Sequence, residues 1–202
     1  MPLAILLFGI AGSKDSVRTS IKKHSDSVFW SAFLVRYKFS SSRGELPNFI
    51  KNLSIQLTSL WLGGNFIGGS IPTQISNLVS LTELYLEENL LTGNIPPSIG
   101  MLSNLRVLSL GGNKLIGEIP SSFGNMTKLL TLSLYNNNLE GSIPLSFGNC
   151  NYLLDVRLYH NKLNGTIPLE LIDIPSLSKV LNVSHNSLTG LLPVAVGNLN
   201  FL

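Results

Sequence analysis

The sequence predicts an α/β repeat fold: a solenoid of 24-residue coils with a parallel β-sheet along its concave side. Three observations predict it. Asn65, Asn89, Asn113, Asn137, Asn161 and Asn186 recur at spacings of 24, 24, 24, 24 and 25 residues. Around each stands the frame L-x-L-x-x-N-x-L-x-G-x-I-P, filled in one coil by Leu84, Leu86, Asn89, Leu91, Gly93, Ile95 and Pro96. Apolar residues then follow the proline at fixed offsets, as Ile99, Leu102 and Leu105 in that coil and Phe147, Cys150 and Leu153 two coils later. A period of this length marks a stacked array, because one unit cannot bury its apolar face alone.

Each element has its reason. L-x-L alternates at period two, so it forms a short strand with its leucines inward. The Asn comes where the chain leaves the strand, and its amide both donates and accepts, so it can satisfy backbone groups that the turn leaves unpaired. Stacked copies of this residue form a ladder through the interior. The Gly relieves a tight backbone position, and the Pro fixes an extended start for the outer segment. The earliest full copy runs from Leu60 to Pro72. A degenerate half-copy precedes it, with Gly44, Leu46 and Pro47 in frame and Ser40 where Asn belongs.

The chain is therefore divided into an irregular leader, 1–43, and an array, 44–202, expected to be truncated at both ends. The leader holds seven Lys/Arg and two Asp/Glu, the array seven and nine, so the net charge of +3 hides an array of −2. That balance excludes a basic nucleic-acid-binding domain. The apolar run from Leu3 to Ala11 is too short to span a bilayer and reads as a weak signal segment, with Gly9-Ile10-Ala11 as its cleavage site. One cysteine makes no internal disulfide.

The frame resembles the plant-type leucine-rich repeat, whose mark is L-x-G-x-I-P followed by x-x-[IF]-G-N-L. That tail stands here as Ile99-Gly100, Phe123-Gly124-Asn125, Phe147-Gly148-Asn149 and Val196-Gly197-Asn198-Leu199. Leu163-Asn164-Gly165-Thr166-Ile167-Pro168 and Val183-Ser184-His185-Asn186-Ser187-Leu188-Thr189-Gly190 are similar to the ectodomains of plant receptor-like serine/threonine kinases, in the group that senses bacterial peptides. The resemblance implies a right-handed leucine-rich-repeat solenoid. It also implies a non-enzymatic recognition module from a receptor's extracellular ligand-binding region, in defence or developmental signalling. The expected partners are a peptide or protein ligand and a co-receptor. The expected location is the outer side of the plasma membrane or secretion, with membrane contact only through parts outside this chain. The paired-cysteine cap and the kinase domain of that group are not found in this sequence. Two rival readings follow: a secreted inhibitor of a cell-wall-degrading enzyme, and a truncated, non-functional receptor fragment.

Chemistry-bearing residues favour recognition over catalysis. Cys150 stands in a column otherwise filled by Leu, Met and Ile, so a buried, inert thiol is expected. His160 and His185 share one turn position in adjacent coils, with no third ligand placed for a metal. No catalytic residue, metal or cofactor is expected. The solvent-facing strand positions carry Trp61, Glu83, Tyr85, Glu87, Tyr135, Arg157 and Tyr159, with Arg106 nearby. Exposed Trp, Tyr and Arg dominate binding hot spots, so these residues form the expected ligand face. Glu83, Glu87 and Glu88 make its first half acidic, which favours a basic ligand group toward Tyr85 and an acidic one toward Arg157. Asn52, Asn125, Asn164 and Asn182 stand in glycosylation sequons.

Overall fold

The structure, a computed structural model, describes residues 55–193, Leu46, Ile50 and Leu53, and the backbone of two short strands, Ile5–Phe8 and Phe33–Tyr37. The Gly9–Ala11 cleavage site, His24, Asn52 and the tail Val196–Leu199 lie outside the described residues.

The strand leucines build one parallel sheet. Its members are β1 (Ile5–Phe8), β2 (Phe33–Tyr37), β3 (Leu57–Trp61), β5 (Glu83–Tyr85), β7 (Val107–Ser109), β9 (Thr131–Ser133), β11 (Asp155–Arg157) and β13 (Val180–Asn182), in that order across the sheet. Equivalent residues pair at each step: Leu60 with Leu84, Leu84 with Leu108, Leu108 with Leu132, Leu132 with Val156 and Val156 with Leu181. The segment expected to be an irregular leader thus contributes two strands. β2 joins β3 with a register shift between Phe33 and Leu34, after which Val35 pairs with Leu60 and Arg36 with Trp61.

A second parallel sheet, which the sequence reading did not anticipate, runs along the flank. It holds β4 (Gly68–Ser70), β6 (Leu90–Asn94), β8 (Lys114–Glu118), β10 (Asn138–Ser142) and β12 (Lys162–Asn164). β6, β8 and β10 carry the whole x-L-x-G-x stretch of the frame and β4 and β12 part of it, so in all but β12 its glycine is a sheet residue as well as a turn residue. At Gly93 and Gly117 φ is 75° in each case, a left-handed value that a side chain resists.

The outer side is made of single turns. Among the residues described throughout, four are 3-10 turns, η1 (Thr73–Asn77), η2 (Pro97–Met101), η3 (Ser121–Asn125) and η4 (Leu145–Asn149), and one is a turn of α-helix, α1 (Leu169–Ile172). The frame proline precedes each, with φ between −62° and −75°. Its ring holds the extended cap conformation from which the turn starts. Adjacent turns are tied by hydroxyls: Ser122 Oγ donates to Pro97 O and Ser146 Oγ to Ser121 O, both at 2.7 Å. A Cβ at Gly100 would overlap the Ser122 carbonyl, and one at Gly124 the Ser146 carbonyl, so this column admits glycine because the coils approach so closely.

Between the layers lies one continuous core from Leu46 to Leu177. Burying one such aliphatic side chain contributes about 1.5–3 kcal/mol. The Asn column sits at its margin. Asn113 Nδ2 donates to Leu86 O, Leu110 O and Gly111 O at 3.0, 3.0 and 3.2 Å, while its Oδ1 accepts from Leu91 N at 3.0 Å. Asn89, Asn137, Asn161 and Asn186 repeat that set, each bonding its own coil and the one before. Asn65 Nδ2 donates to Leu62 O and Gly63 O. Asn104, by contrast, lies on the approach to a strand. It is half-buried rather than exposed as its position suggested, because it donates to Val79 O and accepts from Lys128 Nζ.

Candidate functional site

Register across the concave sheet sorts the outward residues into rows. One row reads Trp61, Tyr85, Ser109, Ser133, Arg157 and Asn182. The next, two residues further along each coil, reads Gly63, Glu87, Gly111, Tyr135, Tyr159 and Ser184. The large side chains fall into two groups, separated by a floor of small residues in the middle coils. Ser109 and Ser133, expected to face solvent, are only 8% and 6% exposed because the large neighbours shelter them.

In the first group the Trp61 indole N–H donates to Glu83 Oε2 at 3.0 Å. That bond orients the indole, which meets Tyr85 edge to face at 5.4 Å between centroids. Tyr85 stands between Glu83 and Glu87 on one face of its coil. Burial, then the two carboxylates, raise its pKa above the ordinary phenol value, so it stays a protonated donor. The Glu87 carboxylate lies over Gly63, in space that a Cβ would fill. Its Oε2 is buried and has no hydrogen-bond partner.

In the second group Tyr135 and Tyr159 stack at 5.0 Å with their planes 7° apart. Tyr135 leans back over Gly111, and its hydroxyl donates to Glu88 Oε1 at 3.0 Å. Burial and that bond push the Tyr135 phenol up to about 12. Tyr159 touches His160 edge to face, and His160 stacks on His185 at 4.1 Å between centroids. Four rings thus form one chain along the rim.

Arg157 is less available than its sequence position suggested. Its Nε and Nη2 donate to the two Asp155 oxygens at 2.9 Å each. Asp155 is only 8% exposed, while the Arg157 side chain is 45% exposed. The bond to Asp155 holds the guanidinium proton more tightly than usual. Arg106 is exposed at the entry edge of the sheet, one residue ahead of β7, outside both rows. Glu88 and Asp155 are positioning residues: the sequence placed Glu88 in the acidic half of the face and Asp155 two residues before Arg157, without showing that either holds a neighbouring side chain.

Of the sequon residues, Asn125 and Asn164 are exposed, while Asn182 is half-buried on the concave face. Asn182 Oδ1 accepts from Ser184 N and Ser184 Oγ. Cys150 is buried, with its thiol pushed up to about 11 by burial, which makes it a poor nucleophile. Among the described residues, no group of three or more His, Cys, Asp and Glu side chains could hold a metal ion, and no helix is long and apolar enough to cross a membrane.

Comparison with known proteins matches these features. Residues 79–125 match the family described as "Leucine Rich repeats (2 copies)", and residues 56–78, 128–150 and 179–199 match "Leucine Rich Repeat". Over 37 residues the chain is 65% identical to the LRR receptor-like serine/threonine-protein kinase EFR of Arabidopsis thaliana, covering 18% of this chain and 4% of that protein. Among solved structures, the plant peptide hormone receptor RGFR1 in complex with RGF2 is 32% identical with a TM-score of 0.74, over 83% of this chain and 26% of that one. The PEPR1–AtPEP1 structure is 36% identical with a TM-score of 0.69, over 78% and 21%. The Arabidopsis thaliana BIR3–SERK2 complex is 37% identical with a TM-score of 0.58, over 66% and 70%. The chain therefore spans 4% of the curated relative, and 21% and 26% of the two peptide-receptor chains. The repeated frame, the stacked parallel strands and these matches agree: the chain belongs to the leucine-rich repeat family, as a solenoid that resembles the ectodomains of plant receptor kinases.

Proposed function

We propose that this chain is part of the extracellular ligand-binding region of a plant leucine-rich repeat receptor kinase and takes an extended peptide across its concave sheet. One observation carries the reading: the aromatic side chains of the concave rows are fixed before any ligand arrives. Glu83 holds Trp61, and Glu88 holds Tyr135 against Gly111. Rings held this way lose little freedom on binding, which is the advantage of preorganised anchors. The sheet beneath them is rigid, because each coil bonds the next through backbone and Asn side chains.

The dimensions suit a peptide. Six strands at ~4.8 Å spacing span about 24 Å, room for roughly seven extended residues. RGFR1 with RGF2, and HAESA with the peptide hormone IDA and the co-receptor SERK1, are similar solenoids in complexes of this kind. On the same basis a co-receptor is a second partner, and the signalling belongs to defence or development. Asn125 and Asn164 would carry glycans on exposed surface, and a glycan on Asn182 would close the last coil and direct the peptide to the earlier ones.

The test is selection from a displayed random peptide library against the full chain. Peptides that bind the wild type should lose more than about 1 kcal/mol on Tyr85→Ala and on Tyr159→Ala, as hot-spot truncations do. Lys128→Ala, off this face, should leave binding unchanged. Selected peptides that respond to Lys128→Ala and to neither tyrosine variant would refute the concave-face reading.

A further inference from the structure

The concave face has one unfinished piece of chemistry. Glu87 Oε2 is the one buried side-chain nitrogen or oxygen among the described residues that lacks a hydrogen-bond partner. A desolvated carboxylate oxygen without a donor is costly, so an isolated chain gains nothing from it. Gly63 has no Cβ, and the carboxylate occupies the space above it. Glu83 is taken by the Trp61 indole and Glu88 by the Tyr135 hydroxyl, so neighbouring carboxylates already have donors and Glu87 does not.

Beside this carboxylate stand two rings with a fixed mutual geometry. Trp61 and Tyr85 meet at 77°, so whichever ring offers its edge, Tyr85 keeps at least one face clear of the indole. A ring face attracts a cation, more strongly when water is partly excluded. A carboxylate and an aromatic face side by side are the two halves of a guanidinium site: the planar fork pairs with both oxygens while its plane lies on a ring. An ammonium ion lacks the fork and the plane.

We propose that Glu87 and Tyr85, with Trp61 packed against the phenol, form a subsite for an arginine side chain of the bound peptide. The proposal rests on the peptide reading above and names one of its contacts. Glu87 is the acceptor, Tyr85 is the wall, and Glu83 positions the indole that backs it. The terminal carboxylate torsion is soft, so a guanidinium arriving over Gly63 draws Oε2 out of its buried position into a two-bond pair. The bond supplies the donor that the free chain lacks.

The experiment titrates the full chain with Nα-acetylarginine amide and follows the Trp61 indole N–H resonance, assigned with Trp61→Phe. A saturable shift is expected, half complete at about millimolar concentration. Added salt should weaken it. Nα-acetylcitrulline amide, the neutral isostere, should give no saturable shift, and Nα-acetyllysine amide a midpoint at least several-fold higher. Glu87→Gln keeps the shape and should abolish the arginine response with the melting temperature equal or raised, since an unpaired buried charge is gone. An equal arginine response in Glu87→Gln, an equal response to citrulline, or no response to arginine overturns the subsite. Because the probe is a single residue, the result is separable from the peptide reading. Arginine titration without any peptide selected on this face would sink the peptide reading alone, and selection on Tyr85 and Tyr159 without arginine titration would sink the subsite alone.

Discussion

Two neighbouring columns of this solenoid obey opposite rules. The first is Asn65, Asn89, Asn113, Asn137, Asn161 and Asn186, one residue type in every coil. The second lies one residue earlier: Gly64, Glu88, Gly112, Asn136, His160 and His185. Its backbone is as uniform as the first column's side chains, with φ of 67°, 52°, 64°, 48°, 55° and 52°. Glycine suits that left-handed conformation best, yet only two of the six positions carry it. The difference lies in where the side chain goes. An Asn side chain is enclosed by four backbone groups and nothing else fits them, whereas the residue before it projects over the concave rim. There Glu88 holds Tyr135, and His160 and His185 stack. Interior chemistry fixes identity; at the rim a modest backbone cost is accepted for a side chain that does something.

The sharpest way to break this contrast is in the first column. Asn113→Ala removes three donated bonds and one accepted bond, and it strands backbone groups that water does not reach. Each stranded group costs about 1–3 kcal/mol, so a loss of about 3 kcal/mol or more is expected in denaturant unfolding. Asn104→Ala removes bonds to Val79 O and Lys128 Nζ at a half-buried site and should cost about 1 kcal/mol. Equal losses would mean that the ladder holds nothing that an ordinary surface amide does not.

The same contrast explains what was legible in the sequence. The inward columns could be read because enclosure admits few residue types, so Leu, Asn, Gly and Pro recur in register. β2 was hidden because its coil lacks the Asn, with Ser40 in its place, and because its register slips at Phe33. The flanking sheet was hidden because its recurring Leu and Gly read equally well as turn positions, and its staggered backbone pairing, Gly68 to Leu90 and Thr92 to Lys114, is marked by no residue type of its own. For the candidate site, the sequence placed Trp61, Tyr85, Tyr135, Arg157 and Tyr159 on one face. It did not show that Asp155 grips Arg157, or that Tyr135 bends back toward Glu88. Those contacts depend on side-chain direction between coils, and Gly111 determines one of them by what it lacks.

Gly111 therefore sharpens the comparison next. A Cβ there would overlap the Tyr135 ring, and the backbone at Gly111 is not left-handed, so Gly111→Ala acts on the ring alone. The expected cost is about 1–2 kcal/mol, typical of overpacking. Its signature is the Tyr135 titration. Burial, then the Glu88 bond and charge, place that phenol at about 12, above the ordinary 10.0. The folded chain thus keeps the proton longer than the unfolded chain. The associated stability is whole below pH 10 and is lost as the pH rises from about 10 to about 12. Tyrosinate absorbance should show this late-ionising phenol in the wild type. Gly111→Ala should bring it back toward the ordinary range, and Glu88→Gln should move it part of the way, because burial remains. An unchanged alkaline titration in Gly111→Ala would mean that the ring does not rest where the glycine leaves room.

The smallest effect is the most pointed test, because it compares one chemical change at two adjacent residues. Asn136 is exposed, and its side chain makes no hydrogen bond among the described residues, although its backbone N–H donates to Tyr159 O at 3.0 Å. Asn137 beside it donates to three carbonyls and accepts from Leu115 N. Asn136→Gly keeps the backbone bond and relieves a φ of 48° that any side chain resists. Asn tolerates the left-handed region better than most residues, and the added glycine flexibility in the unfolded chain works against the gain. The net change should lie within about 0.5 kcal/mol of zero. Asn137→Gly should cost as much as Asn113→Ala, for the same lost bonds. Thermal or urea unfolding of the two variants decides the matter. If Asn136→Gly costs more than about 1 kcal/mol, the earlier column is held by its side chains as well. The freedom to place Glu88, His160 and His185 there would then need another origin.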